Sequence, residues 1–368
     1  MVQPRQARIM QNGYEVLLLA GGSAQHEEAE RQLLDRGVRL PLPHRALWAR
    51  FCPAAGYWFL LVRDGSGQGL GGFMLEVTRS RALPGQLLLR SERFGESLPA
   101  DVAAPALKAL ASLVRLDGRI LRLDIEVFSP NASSREELGV ALAAAGLMRG
   151  PLSRSYSVTL TSELPPSDEE HLAALSMNTR RNVRAIKKYP VLLRQVEDPV
   201  FAPRMDALIR ETMQRTGGSY EPEDWRWRIA LSQEAPELSR LVGLFRAEAT
   251  GPEGLLAFVW GCCHGDYAHY DASGSTRPPD LKVPLSYALL WDLLCWARRN
   301  GARWFDFGGI TESHLGDDQV GGISDFKRLF SSTVQQVGER WVLEPSSFRS
   351  SVARGIGGIA KVARRLQS

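Results

Sequence analysis

Lys327 follows Phe326 directly and stands three residues before Phe330, in a segment that opens on Gly321 and Gly322. The spacing predicts a short helix that sets an ammonium group among aromatic rings. In a drained, low-dielectric pocket such a charge stabilises the oxyanion formed when a nucleophile attacks a carbonyl. The plain alternative is a lysine solvated on a helix surface. Asp306 lies in the apolar run Trp304-Phe305-Asp306-Phe307, just before Gly308 and Gly309. Paired glycines let backbone approach a ligand closely, and open α/β sheets carry functional groups at strand ends. Asp306 could act as a base toward an incoming amine, cap the Gly308 or Gly309 amide, or pair with a buried cation; a structural role is the favoured reading. Tyr270, between His269 and Asp271, could orient a substrate amide through its hydroxyl or sit in a core with that hydroxyl satisfied. Tyr270, Asp306 and Lys327 are expected to share one pocket.

A second group is basic. Arg180, Arg184 and Lys187 fall on one helix face at i, i+4 and i+7, with Val183 and Ile186 turned inward. Planar guanidinium groups grip phosphates in bidentate fashion, so a diphosphate or a nucleic-acid backbone fits this face. A solvated face explains the same pattern, and composition alone favours it. The six histidines show no ligand spacing, and no Cys-x-x-Cys appears among Cys52, Cys262, Cys263 and Cys295, so no metal is expected. His314 falls in the loop between the glycine pairs, where it could meet a substrate.

These residues need a scaffold of alternating strands and helices. Strands are expected at 57–63, 71–78, 87–90 and 119–128, with helices at 102–114 and 134–145. Helices near 168–188, 200–216 and 222–233 follow. Strands near 238–248, 254–263 and 266–273 lead to a helix at 284–299, where Leu285, Leu289, Leu293 and Trp296 repeat at helical spacing. An internal echo joins the halves: helix, Gly turn and a strand reaching Asp124 mirror helix, Gly turn and a strand reaching Asp306.

Helix, strand ending in Asp-Phe-Gly-Gly, loop and Phe-Lys together resemble the Fem family (FemABX) of non-ribosomal peptidyltransferases. Tyr156 to Leu160 resembles that family's entry strand, Asn178 to Arg184 its Arg-rich helix, and Glu211 to Arg215 its Thr-x-x-Arg segment. His269 to Ser273, then Lys282-Val283-Pro284, resemble the strand and helix start before the signature. The match runs over about residues 153–343; residues 1–150 match in layout only. The resemblance implies an α/β fold of two tandem GNAT-like acyltransferase domains, with the first at 1–152, the second at 153–345 and a basic tail or helix at 346–368. It implies an aminoacyltransferase that moves an amino acid from aminoacyl-tRNA to an amine on the stem peptide of a lipid-linked or nucleotide-linked peptidoglycan precursor. Aminoacyl-tRNA is then a co-substrate and no cofactor is needed. Lys327 and Phe326 would flank the acyl-transfer centre, Tyr270, Gly308 and Gly309 would meet substrate, and Arg215, with Arg180 and Arg184, would contact its phosphates.

Bulk properties constrain the rest. At 368 residues two domains are the default. A formal net charge of +4 is too small to imply nucleic-acid binding by itself. The Val16–Ala20 run is too short for a signal-peptide core, so a cytoplasmic protein is expected. From Ser347 to Ser368 five residues are basic and none is acidic; Ile356, Ile359, Val362, Ala363 and Leu366 could line an apolar face. The segment reads as a frayed tail or as a contact for tRNA phosphates or the inner membrane face. Two rival functions remain. A CoA-dependent N-acyltransferase would carry an Arg/Gln-x-x-Gly-x-Gly/Ala loop before a helix, which the sequence lacks. A non-catalytic nucleic-acid or membrane-surface binding protein would have no need of the Asp-Phe-Gly-Gly and Phe-Lys elements.

Overall fold

A computed structural model describes residues 2–5, 7–151, 156–310 and 321–366. Contacts divide the chain into two compact units, Met1–Ser157 with Val337–Ser368, and Val158–Gln336.

The first unit begins with a hairpin of β1 (Ala7–Gln11) and β2 (Tyr14–Ala20). Asn12 and Gly13 both have positive φ, 52° and 81°, as a two-residue hairpin turn requires. Helix α1 (Ala24–Asp35) is capped by Ser23, whose side chain accepts from the His26 amide, and the short α2 (Ala46–Phe51) follows. Strands β3 (Gly56–Arg63), β4 (Gly69–Arg79) and β5 (Leu87–Phe94) lead to α3 (Ala100–Leu116), β6 (Ile120–Phe128), α4 (Ala132–Ala144) and β7 (Met148–Gly150).

The second unit opens with β8 (Val158–Glu163). The helix expected over 168–188 is two helices, α5 (Asp168–Ala174) and α6 (Met177–Ala185). The break comes at Ser176, whose side chain caps α6 by accepting from the Thr179 amide. Next come β9 (Val191–Gln195), α7 (Ala202–Thr216) and α8 (Arg226–Glu234). Strands β10 (Ser239–Arg246), β11 (Leu255–His264) and β12 (Tyr267–Ser275) lead to α9 (Ser286–Arg299), β13 (Trp304–Gly309), α10 (Gly321–Arg328) and β14 (Thr333–Gln336). The chain then returns to the first unit with β15 (Gly338–Leu343) and α11 (Ser347–Leu366).

The strand orders are β1-β2-β3-β4-β5-β6-β15-β7 and β14-β8-β13-β12-β11-β10-β9. In each sheet the one parallel pair among the described strands, β5 with β6 and β12 with β13, is joined through a long helix, α3 or α9. This is the repeat echoed in the sequence, and both units are mixed α/β sheets. The expected division at 152 and 345 differs from the observed one. β15 pairs antiparallel with β6, Gly338 opposite Phe128, and Arg340 Nε donates to Asp124 at 2.8 Å. Residues 338–345 and α11 therefore belong with the first unit, because their strand ladder and ion pair are there.

The spacing expected of α9 packs as read. Leu285, Leu289, Leu293 and Trp296 are buried in a core that holds Phe305 and Phe307 of β13. Burying each leucine contributes about 2 kcal/mol, enough to fix β13 against α9 and so to fix where Gly308 falls.

Candidate active site

β12 and β13 run in register from Tyr267–Trp304 to His269–Asp306 and then part. β12 carries a bulge there: Gly261 pairs with Tyr270 and Trp260 with Ala272, leaving Asp271 as the extra residue. β13 turns away at Gly308, whose φ of +77° suits glycine. Where the strands separate lies a cavity of about 710 Å³, within the second unit.

Lys327 forms one wall of this cavity. It is 7% exposed, and its Nζ donates to the Gly309 carbonyl at 2.6 Å. The same nitrogen lies 5.3 Å from the Tyr270 ring centre. Burial lowers the ammonium pKa from 10.5 to about 8, with the negative charge of Asp306 acting in the opposite direction. Phe326 stacks edge-on against Tyr287 at 5.2 Å and Phe330 at 5.5 Å, and Phe330 lies 6.2 Å from Phe307. These rings keep water from the lysine, and water exclusion is what makes a fixed charge effective.

Tyr270 lines the cavity beside Lys327, its hydroxyl 2.6 Å from Ser273 Oγ. Burial, aided by the charge of Asp271, raises its phenol above the ordinary value, so the hydroxyl keeps its proton at working pH. Asp306 does not join them in the cavity. Successive strand residues face opposite ways, and Asp306 turns away from Phe305 and Phe307 into a fully buried polar pocket. There it accepts from Thr159 Oγ1, from the Tyr267 hydroxyl at 3.0 Å and from the Gly308 amide at 2.7 Å. Of the roles read from the sequence, the contacts are those of the amide cap: Asp306 holds the backbone turn on which Lys327 rests.

The far wall is basic. Arg215, at the end of α7, donates to the Ser275 carbonyl at 3.3 Å and to Ser275 Oγ at 3.2 Å. Arg277 and Lys282 line the same cavity. Burial, then the like charge of Arg277, lowers the Arg215 pKa. Two guanidinium groups close enough to repel each other in a cavity suit an anionic ligand. Arg180 and Arg184 are not among the lining residues: Arg180 donates to the Ala173 carbonyl at 2.7 Å, and Arg184 is exposed. Val183 and Ile186 are buried as expected. His314 lies outside the described residues. The sequence reading passed over Arg277 and Tyr287; the signal for Tyr287 was its place at the start of α9, and for Arg277 its place just after β12.

The loop from β12 to α9, residues 276–285, contains Pro278, Pro279 and Pro284 and no glycine. Proline has no amide hydrogen to offer, so the loop is ill suited to wrap a pyrophosphate in backbone amides.

Residues 175–328 match the family model "Acetyltransferase (GNAT) domain". The match covers most of the second unit. Over its length the chain has the tandem GNAT-like fold of FemX: the crystal structure of FemX superposes with a TM-score of 0.67 at 14% identity, covering 87% of this chain and 96% of that one. The structure of L-PGS from Bacillus licheniformis follows at a TM-score of 0.48 and 13% identity, covering 90% of this chain and 96% of that one. No curated protein matches in sequence. All the residues that line the cavity at the parting of β12 and β13 fall inside the matched span.

The lysine pKa gives a test with a definite sign. An oxyanion-stabilising Lys327 must be charged, and its charge is lost as pH rises through about 8. An amine acceptor would instead have to be neutral, so its availability would rise with pH. Turnover should therefore pass through a maximum, with its alkaline limb near pH 8. In Lys327→Arg that limb should move beyond pH 10, since a guanidinium stays charged. A pH–rate profile on both proteins checks this, and an unmoved alkaline limb would assign the titration to another group.

Proposed function

We propose that the chain is an aminoacyltransferase that moves an amino acid from aminoacyl-tRNA to an amine on the stem peptide of a peptidoglycan precursor, lipid-linked or nucleotide-linked. The observation that carries the reading is one cavity with a buried lysine among aromatic rings at one wall and paired guanidinium groups at the other. An aminoacyl-tRNA presents an ester carbonyl for the first and phosphates for the second. The amine nitrogen attacks the ester carbonyl, and Lys327 stabilises the oxyanion. The carbon–oxygen bond to the terminal ribose then breaks, and the ribose hydroxyl leaves with a proton originating on the amine. Tyr270 orients the acceptor amide, while Gly308 and Gly309, which are not among the residues lining the cavity, act through Lys327: Gly308 leaves room beside its Nζ and Gly309 accepts its hydrogen bond. No cofactor takes part. A lipid-linked acceptor would bring the chain to the inner membrane face.

The proline-rich loop argues against the CoA-dependent rival, and the retained lysine cavity against a non-catalytic binding protein. The test is to incubate the chain with a pool of charged tRNAs and precursor and to weigh the product. The expected gain is one or more aminoacyl residues. A gain of an acyl group only when acyl-CoA is supplied would select the rival.

Phosphate recognition can be tested by comparing two charge reversals. Arg215→Glu should weaken donor binding at least tenfold and flatten its salt dependence. Arg180→Glu with Arg184→Glu should also weaken binding in a salt-dependent way if this outer face tracks a nucleic-acid backbone. Unchanged affinity and salt slope in the double variant would leave α6 as a solvated face.

A further inference from the structure

Helix α11 is bound to the first unit by the wrong side for an amphipathic helix. Its polar side makes the contact: Ser350 is 3% exposed, and Arg349 donates to Gln86 Oε1 at 2.8 Å and to the Gly118 carbonyl. Its apolar residues point outward. Phe348 is 77% exposed, Ile356 41% and Val352 38%, at positions i, i+8 and i+4 of one face. The sequence continues the same spacing with Ile359, Ala363 and Leu366. A helix normally buries this stripe, and here the first unit leaves it open.

We propose that α11 is a docking surface for an anionic lipid bilayer, lying along the membrane with the Phe348, Val352 and Ile356 face dipped into the headgroup region. Charge complementarity selects the occupant. The segment from Ser347 onward carries five cations and no acid; Arg349 is held by the first unit and Arg354 pairs with Glu344, so the charge offered to headgroups is that of Lys361, Arg364 and Arg365. A second copy would set like charge against like charge. A tRNA backbone would engage the cations but leave the apolar stripe unanswered. An anionic bilayer meets both, with headgroups for the cations and acyl chains for the stripe. The 20-residue helix is about 30 Å long. Among the described residues no helix is long and apolar enough to cross a membrane, so the geometry is that of a helix lying on the surface. The inference rests on the exposed face and the charges of α11, and it stands whether or not the acyl-transfer reading does.

The test uses the full chain and sedimentation with vesicles. Wild type should pellet with phosphatidylcholine vesicles containing phosphatidylglycerol, should pellet far less with phosphatidylcholine alone, and should be released by high salt. A variant with Phe348→Ser, Val352→Ser and Ile356→Ser should partition on the order of tenfold more weakly. These side chains are exposed, so the fold should survive; Phe348→Ser alone serves as a milder second variant, with a smaller loss in the same direction. Equal binding to both vesicle types, no binding, or partition unaffected by either variant overturns the proposal. So does a dimer in sedimentation velocity that the triple variant abolishes, since the stripe would then belong to a second copy.

Discussion

Lys327→Ala is expected to lower turnover about 100- to 1,000-fold with little change in KM, the loss typical when one oxyanion-stabilising group is removed. The asymmetry follows from timing, because the charge acts on an oxygen that is fully anionic only in the transition state. Lys327→Arg is expected to recover part of the rate, since the cation remains but the compact donor held by the Gly309 carbonyl does not. Stability moves in the opposite direction. A lysine pKa lowered from 10.5 to about 8 means that the fold holds the charged form at a cost. In the wild type, stability therefore rises with pH between about 8 and 10.5, where the unfolded chain binds the extra proton. Lys327→Met removes that dependence and gains roughly 2 kcal/mol at pH 7, taking about 3 from the pKa shift less about 1 for the lost Gly309 hydrogen bond. Chemical denaturation at two pH values measures it. A variant that is less stable and still active would make Lys327 a structural residue.

Gly308→Ala is expected to cost activity about 10- to 100-fold, through the lysine. A Cβ there would lie 3.3 Å from Lys327 Nζ and 3.3 Å from the Tyr270 carbonyl, on backbone at φ +77°. The left-handed conformation alone costs a side chain roughly 1–2 kcal/mol. Gly301 supplies the control. Its φ is +82° and a Cβ there would meet nothing within 4 Å, so Gly301→Ala carries similar backbone strain without touching the site. Equal stability losses with an activity loss only at Gly308 would show that the lysine's position matters. Equal activities would remove Gly308 from the account.

What the sequence made legible follows the strength of local signals. α9 and β13 were readable because Leu285, Leu289, Leu293 and Trp296 repeat at helical period and then give way to Trp304-Phe305-Asp306-Phe307, and both elements are buried together. The repeated helix, Gly turn and strand are α3 with β6 and α9 with β13, but their parallel pairing with β5 and β12 was not read from the sequence. The hairpin of β1 and β2 was missed although Asn12-Gly13 is its ordinary turn signal. β15 was assigned to the other unit because a six-residue strand carries no address of its own; its partner is set by long-range contacts such as Arg340 with Asp124. The site divides the same way. Lys327, Phe326 and Tyr270 could be found from residue type and neighbourhood. The facing of Asp306 follows from its alternation with Phe305 and Phe307, but its capping of the Gly308 amide depended on the turn there. Density of charge drew attention to Arg180 and Arg184, whereas the cavity is lined by Arg215 and Arg277, which meet only after α7 and the loop after β12 are folded.

The central claim is acyl transfer from a tRNA ester at Lys327. A single-turnover reaction with one charged tRNA, labelled in its amino acid and held below the enzyme concentration, tests it most directly. Label should pass to the precursor amine in a step that needs the acceptor, and should pass at least 100-fold more slowly with Lys327→Ala. Label that stays on tRNA with wild-type enzyme and folded substrates, or that moves equally fast with Lys327→Ala, would contradict the account.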